Sequence, residues 1–409
     1  MARLLVVTSR LPYPPREGHQ LRAWHLLKAL AARHQVTVLS FLRGDDDLAA
    51  ASPMRDVLYV LETLPIPSER SRVALAGALA RGVLTQAPFL AAKYASPALR
   101  QRLASLAQDA DLVHFDMLPL MAHVDCVPAG TPVVFNAHNV EHLLLEKRAQ
   151  IETRPWARAF LRSQVSRLRA FERRACQRAD AVWACSDTDA DALRELAPGA
   201  EVVVVPNGVD LEANRPAAAP APDNAQLVFV GQMGWFPNRD GVDWFLREVF
   251  PRILAVRPQA QFVLVGTADG FEVPVDVAAR VRLAGFVPDL RPLVHAAAVY
   301  VVPLRAGSGT RLKVLEAMAL GKAIVTTTIG SEGIALRHDH SALYADDAES
   351  FAAATLALLN APDRAARLGI AARACADAHY SWDSIGRNLC NCYDELLAVS
   401  APARSGAFA

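Results

Sequence analysis

The chain has 409 residues, too many for one ordinary core, so length alone argues for two to three domains. With 52% hydrophobic and 21% charged residues it is globular rather than disordered, and a net charge of +1 makes no case for nucleic acid. Six cysteines without a CxxC pair fit reduced thiols in a cytoplasmic protein; the apolar run after Arg3 is too short for a signal segment, and no uncharged stretch reaches the roughly 18 residues of a membrane span.

In chain order, short β-branched runs alternate with amphipathic stretches. "LLVVTS" (4–9) reads as a strand, 19–34 as a helix, and "VTVLSF" (36–41) as a second strand. "DLVHFD" (111–116) and "TPVVFNAH" (131–138) follow as strands, then one long helical region over about 140–178. "ADAVWACS" (179–186), a helix and "EVVVVPNG" (201–208) close the first half. Residues 212–224, "EANRPAAAPAPDN", hold five alanines and three prolines and read as a linker.

The pattern then restarts with "QLVFVG" (226–231), a helix from about 239, "QFVLVG" (261–266), "VRLAGFV" (281–287), "VYVVPL" (299–304) and "AIVTTT" (323–328). Helices near 348–360 and 363–377 precede a last one at 381–399, and the final residues look frayed. Strands alternating with helices imply parallel sheets covered on both faces. Two such halves place ligands at the carboxyl ends of strands, in a cleft between them.

The most informative stretch is "RAGSGTRLKVLEAMALGKAIVTT", residues 305–327. Gly307 and Gly309, on either side of Ser308, let backbone approach a ligand closely. Thr310 is placed to cap a helix starting near Arg311. Arg311 and Lys313 then put two cations at the positive end of the helix dipole, an arrangement that makes sense around an anion. One turn on, Glu316 can accept hydrogen bonds from sugar hydroxyls. The reading is a diphosphate and ribose site; a plain surface turn is the alternative. No GxGxxG or Walker pattern is present.

Elsewhere, His138 ends a strand and so points toward a cleft, where it serves either chemistry or structure. "HNVEH" (138–142) also fits the H-x-x-E-H zinc pattern. His138 follows a strand, however, so His142 need not share a helix face with it; Glu141 and His142 face an acceptor or solvent. Gly18 lies in the turn between the first strand and first helix, and Arg22, one turn further on, is either an anion contact or part of a plain helix start. Residues 147–178 carry ten Lys/Arg and two Glu. That is either a solvated face over a packed stripe or a surface for anionic lipid or a lipid diphosphate. Residues 68–102 repeat the basic bias.

The stretch 305–327 resembles the donor-binding segment of glycosyltransferase family 4, retaining enzymes of the GT-B fold. The order of other segments agrees: "PYPPREGHQLR" is similar to the N-terminal glycine loop, "NAH" to the active-site histidine segment, "VVPNGVD" to the interdomain strand end, and "HYSWDSIGRNLCNCYDELL" to the helix that crosses back. Within the family the chain most resembles bacterial sugar transferases of exopolysaccharide systems associated with PEP-CTERM sorting. The resemblance implies two Rossmann-like doubly wound domains facing each other across a cleft. It places an acceptor domain at 1–208, a nucleotide-sugar domain at 209–380, and a returning helix at 381–399. It implies a nucleotide diphosphate sugar donor and a glycan or polyprenyl-linked acceptor, with no metal and no cofactor. His138, Arg311 and Lys313 become the catalytic residues. Gly18, Gly307, Ser308, Gly309, Thr310, Arg311, Lys313 and Glu316 become the donor site. A nucleotide-sugar epimerase of the same architecture is the alternative activity. The expected place is the cytoplasm, peripheral on the inner face of the cell membrane.

Two departures from the family pattern stand out. The family pairs two glutamates with seven residues between them, but the position eight before Glu316 is Ser308. The family also places an arginine after the second domain's first "VG", where this chain has Gln232. Arg311 and Lys313 are expected to take over the phosphate contacts.

Overall fold

The computed structural model describes residues 1–15, 17–42, 46–66, 68, 73, 76–77, 82, 87–217, 225–307 and 310–404. The expected turn residues Ser308 and Gly309, most of the basic stretch between 67 and 86, and the linker residues 218–224 therefore lie outside it. The chain divides into two compact units, Met1–Pro206 with Asp383–Ala409, and Asn207–Trp382.

The first unit is a seven-stranded parallel sheet. Its strands are β1 (Arg3–Thr8), β2 (Gln35–Leu42), β3 (Val60–Pro65), β4 (Leu112–Asp116), β5 (Val133–Asn136), β6 (Ala181–Ala184) and β7 (Val202–Val204). They run in the order β3-β2-β1-β4-β5-β6-β7, so the direction of winding reverses between β1 and β4. Strands covered on both faces read as continuous apolar runs, which is why "LLVV" and "VVF" show no alternation. Leu4 to Val7 and Val133 to Phe135 are all buried. Strand β3 escapes a sequence reading because it is an edge strand whose side chains are mostly half-buried, without a continuous apolar run.

Helix α1 (Gly18–Ala31) connects β1 to β2. The expected single helix over 140–178 is instead two, α2 (Glu141–Ile151) and α3 (Pro155–Arg178). Pro155 has no N–H to donate and disfavours a helical Arg154, so it breaks the run and occupies the first turn of α3. The carboxylate of Glu172 in α3 accepts from the backbone N–H of Glu141 (2.8 Å) and of His142 (3.2 Å). The start of α2 is thereby tied far along α3, and the two helices form an antiparallel hairpin.

The second unit is a six-stranded parallel sheet. It comprises β8 (Gln226–Val230), β9 (Gln261–Val265), β10 (Val281–Gly285), β11 (Val299–Val302), β12 (Ile324–Thr326) and β13 (Leu343–Tyr344), in the order β10-β9-β8-β11-β12-β13. Its winding reverses between β8 and β11. Helix α4 (Phe236–Trp244) follows β8, and α5 (Leu312–Ala319) lies between β11 and β12. Phe245, Phe250, Phe262 and Phe351 pack ring against ring beneath this sheet.

The last helix, α6 (Trp382–Arg404), is longer than the sequence pattern suggested. From Asp383 it belongs to the first unit. The Tyr393 hydroxyl bonds to His114 Nδ1 of β4, and Cys390 Sγ lies 3.3 Å from the Ala29 carbonyl of α1.

Candidate active site

In the first unit, the register of β4 against β5 sets Asp116 beside Asn136 at the carboxyl ends of both strands. His138 follows two residues later. Asp116 Oδ1 accepts from His138 Nε2 (2.7 Å) and from Asn136 Nδ2 (2.7 Å). With its amide oriented that way, Asn136 Oδ1 accepts from Arg22 Nη2 (2.9 Å), while Arg22 Nη1 donates to the Pro206 carbonyl (3.1 Å). The bond to Asp116 assigns the proton to Nε2 of His138 and fixes the ring.

Asp116 is buried, which by itself would raise its pKa. The charge of His138 and hydrogen bonds from His114 and His138 outweigh burial and hold the carboxyl well below its ordinary range. A fixed negative charge therefore stands against His138. His19, one residue after Gly18, approaches from α1; burial, then the charge of His138, draws it down to about 4.

These contacts revise two expectations. Arg22 does not face an anion: it is buried and orients Asn136. Gly18 is not a turn residue but the first residue of α1, behind Glu17 and Gln20, which form a reciprocal capping box.

The "HNVEH" residues do not converge. His138 bonds Asp116 (2.7 Å), whereas His142 Nδ1 bonds Glu172 Oε2 (2.6 Å). Glu141 accepts from Asn139 Nδ2 (3.3 Å), and burial, then the charge of Glu172, pushes it up to about 7. His142 and Glu172 hold the hairpin together rather than offer a metal face.

In the second unit, a cluster forms at the reversal of winding, where β8 ends at Val230 and β11 at Val302. Lys313 reaches back from α5 to donate to Asn238 Oδ1 (2.6 Å), with its Nζ 4.1 Å from the centre of the Phe229 ring. Asn238 Nδ2 donates in turn to the Gln232 carbonyl (2.9 Å). A Cβ on Gly231 would fall 2.5 Å from Lys313 Nζ and 2.8 Å from Asn238 Nδ2, so a side chain there would displace the ammonium and the amide from these positions. Gln232 thus contributes its backbone where the family pattern has an arginine.

Arg311 is buried; its Nη2 donates to the Ile329 carbonyl (3.1 Å) and lies 3.7 Å from Glu332. Gly307 has φ +143°, a conformation that favours glycine, and a Cβ there would lie 2.9 Å from Arg311 Nη2 and push the guanidinium aside. The expectation that Thr310 caps the helix is not met. Helix α5 begins one residue later, with Arg311 in the capping place and no side-chain cap. The two cations, expected to flank one point, are held by different partners.

Burial, reinforced by the charge of Arg311, draws Lys313 down to about 7, against the pull of Glu316. Burial pushes Glu316 up to about 7, opposed by Lys313. Among the described residues, no hydrogen bond reaches the Glu316 carboxylate. The cluster thus presents a lysine and a carboxylate poised near neutrality beside a glycine.

Asp116, Asn136, His19 and Asn238 went unmarked in the sequence. Asp116 had a signal, since it closes a strand of the central pair; Asn238 had none.

Comparison with known proteins matches both units. Residues 17–213 fit the profile described as Glycosyltransferase Family 4, and residues 224–361 fit that described as Glycosyl transferases group 1. Each unit thus matches a glycosyltransferase family model, and the architecture is the GT-B fold.

It is similar to phosphatidyl-myo-inositol mannosyltransferase of Mycolicibacterium smegmatis, 29% identical over 209 residues, which are 48% of this chain and 53% of that protein. The matches to the first curated relatives span about half of their length or less. Among solved structures, sucrose-phosphate synthase from Thermosynechococcus elongatus superposes with a TM-score of 0.70 at 19% identity, covering 97% of this chain and 100% of that one. Anabaena HepE in complex with UDP superposes at 0.66 and 15% identity, again over 97% and 100%. At these identities the likeness speaks to the fold.

Proposed function

We propose that the protein transfers a hexosyl group from a nucleotide diphosphate sugar to a glycan or polyprenyl-linked acceptor, with retention of configuration. The setting would be exopolysaccharide or cell-envelope polysaccharide synthesis, in a system of the PEP-CTERM-associated kind. The observation that carries this reading is the cluster of Lys313, Asn238 and Glu316 at the reversal of winding in the second unit. A half-buried carboxylate that no hydrogen bond reaches among the described residues is suited to the vicinal hydroxyls of a ribose. A lysine held near neutrality beside a glycine suits a diphosphate, whose charge would return it to the ammonium form.

Loss of the diphosphate is the step that needs charge stabilisation. Lys313, Arg311 and the backbone ahead of α5 supply it, so no divalent metal is required. In the first unit, His138, held by the ionised Asp116, would contact the donor sugar near its reacting carbon. The UDP bound by HepE supports a nucleotide diphosphate donor, and the name of the mycobacterial relative supports an acceptor that carries a lipid. The basic α3 and the absence, among described residues, of a helix able to cross a membrane support a peripheral place on the inner membrane face.

Incubation with a panel of nucleotide sugars, with and without lipid-linked acceptor, tests the proposal. Donor consumption that depends on acceptor is expected. Interconversion of the sugar without acceptor would show an epimerase instead.

A further inference from the structure

We infer that the apex of the α2–α3 hairpin is a membrane-insertion element that seats its aromatic side chains in an anionic lipid surface. This rests on the reading that the first unit meets a membrane, and adds which side chains enter it.

The apex exposes large apolar groups. Ile151 is 44% exposed at the end of α2, and Trp156 and Phe160 are 70% and 46% exposed at the start of α3. Trp156 and Phe160 are four residues apart and so share one stripe of the helix. Single exposed apolar residues need no explanation, but three large ones at one turn between two helices do.

Their surroundings specify the partner. Residues 147–162 hold the cations Lys147, Arg148, Arg154, Arg158 and Arg162 and one carboxylate, Glu152. That carboxylate is already taken by Arg154 Nε at 3.0 Å. The Arg154 guanidinium lies 5.1 Å from the centre of the Trp156 ring, so the charge and the indole sit at the same depth. Tryptophan beside arginine is the composition of a lipid headgroup interface. A second copy of the chain fits poorly, because a two-fold contact would set this cationic surface against itself.

The hairpin also gives the apex reach. Glu172 pins the base of α2, next to the His138 segment, and α3 rises about 1.5 Å per residue from Trp156 to Glu172. The apex therefore stands about 24 Å from that anchor. Insertion at one end leaves the reacting end of the unit clear of the lipid.

The test is sedimentation of the full chain with vesicles of phosphatidylcholine, alone or mixed with phosphatidylglycerol, some carrying brominated acyl chains. Wild type is expected to sediment with the anionic vesicles, and bromine to quench part of its tryptophan fluorescence. Trp156→Phe should keep binding and lose that quenching. The double variant Trp156→Ser/Phe160→Ser should bind at least about tenfold more weakly, with unchanged thermal unfolding and nucleotide binding. If the double variant binds like wild type, the apex assignment fails while a purely electrostatic membrane contact survives. If wild type ignores all vesicles, both fail, leaving the sugar-transfer reading untouched. If the double variant loses self-association instead of lipid binding, the apex is a protein interface and the inference is overturned.

Discussion

Replacing Lys313 with methionine should stabilise the unliganded protein and abolish nucleotide diphosphate binding. Methionine keeps an unbranched stem of similar length, so packing over Phe229 is largely retained. The lysine titrates at about 7 in the fold against an ordinary 10.5. At about 1.4 kcal/mol per tenfold change in proton affinity, holding it costs the apo protein roughly 4 kcal/mol at neutral pH. Part of that cost is shared with Glu316, so a gain of about 2–4 kcal/mol is expected, or roughly 5–15 °C in Tm for a unit of this size.

The sign of the pH dependence follows. Below about 7 both folded and unfolded chains hold the proton, and the cost is present in full. Between about 7 and 10.5 the unfolded chain binds more protons, so the stability of the wild type rises with pH. The advantage of Lys313→Met should therefore be largest in mildly acid buffer and shrink through that window. Thermal unfolding across pH, paired with calorimetric titration of a nucleoside diphosphate, checks both halves. A variant that is less stable at neutral pH, or that binds the diphosphate as tightly as wild type, would refute the reasoning.

Glu316→Gln should weaken nucleoside diphosphate binding about 10- to 100-fold, the equivalent of one charge-assisted hydrogen bond or more, without loss of fold; unchanged affinity by calorimetry would sink the ribose assignment. His138→Ala should lower kcat more than it raises the donor KM, whereas a merely structural histidine would lower Tm and leave turnover normal. Asp116→Asn should act in the same direction. Because the carboxyl is held below its ordinary range, its share of stability is present above about 3.8 and lost as pH falls further, so acid unfolding should be shallower in this variant. Activity should survive excess chelator, and restoration of a lost activity by added divalent metal would show the phosphate site to be misread.

What the sequence determined by itself was local. Apolar β-branched runs such as "LLVV" and "QLVFV" name their own strands, because a strand buried on both faces needs nothing but apolar side chains. The alternation with helices announced two parallel sheets, and the 305–327 stretch announced Lys313 and Glu316 through glycines and charges only a few residues apart. The edge strand β3 was illegible, since half-buried side chains leave no such run.

Only the tertiary structure decided which distant residues share a site. Asp116 meets His138 because β4 and β5 pair in one register, and a slip of one residue would turn its side chain to the other face of the sheet. Asn238 meets Lys313 across 75 positions because β8 and β11 are neighbours at the reversal of winding. Arg22, legible in the sequence only as an anion contact or a plain helix residue, is buried against Asn136. Periodicity reports which side of an element is apolar; partners, burial and hence charge state are properties of elements brought together, and no stretch of chain contains them alone.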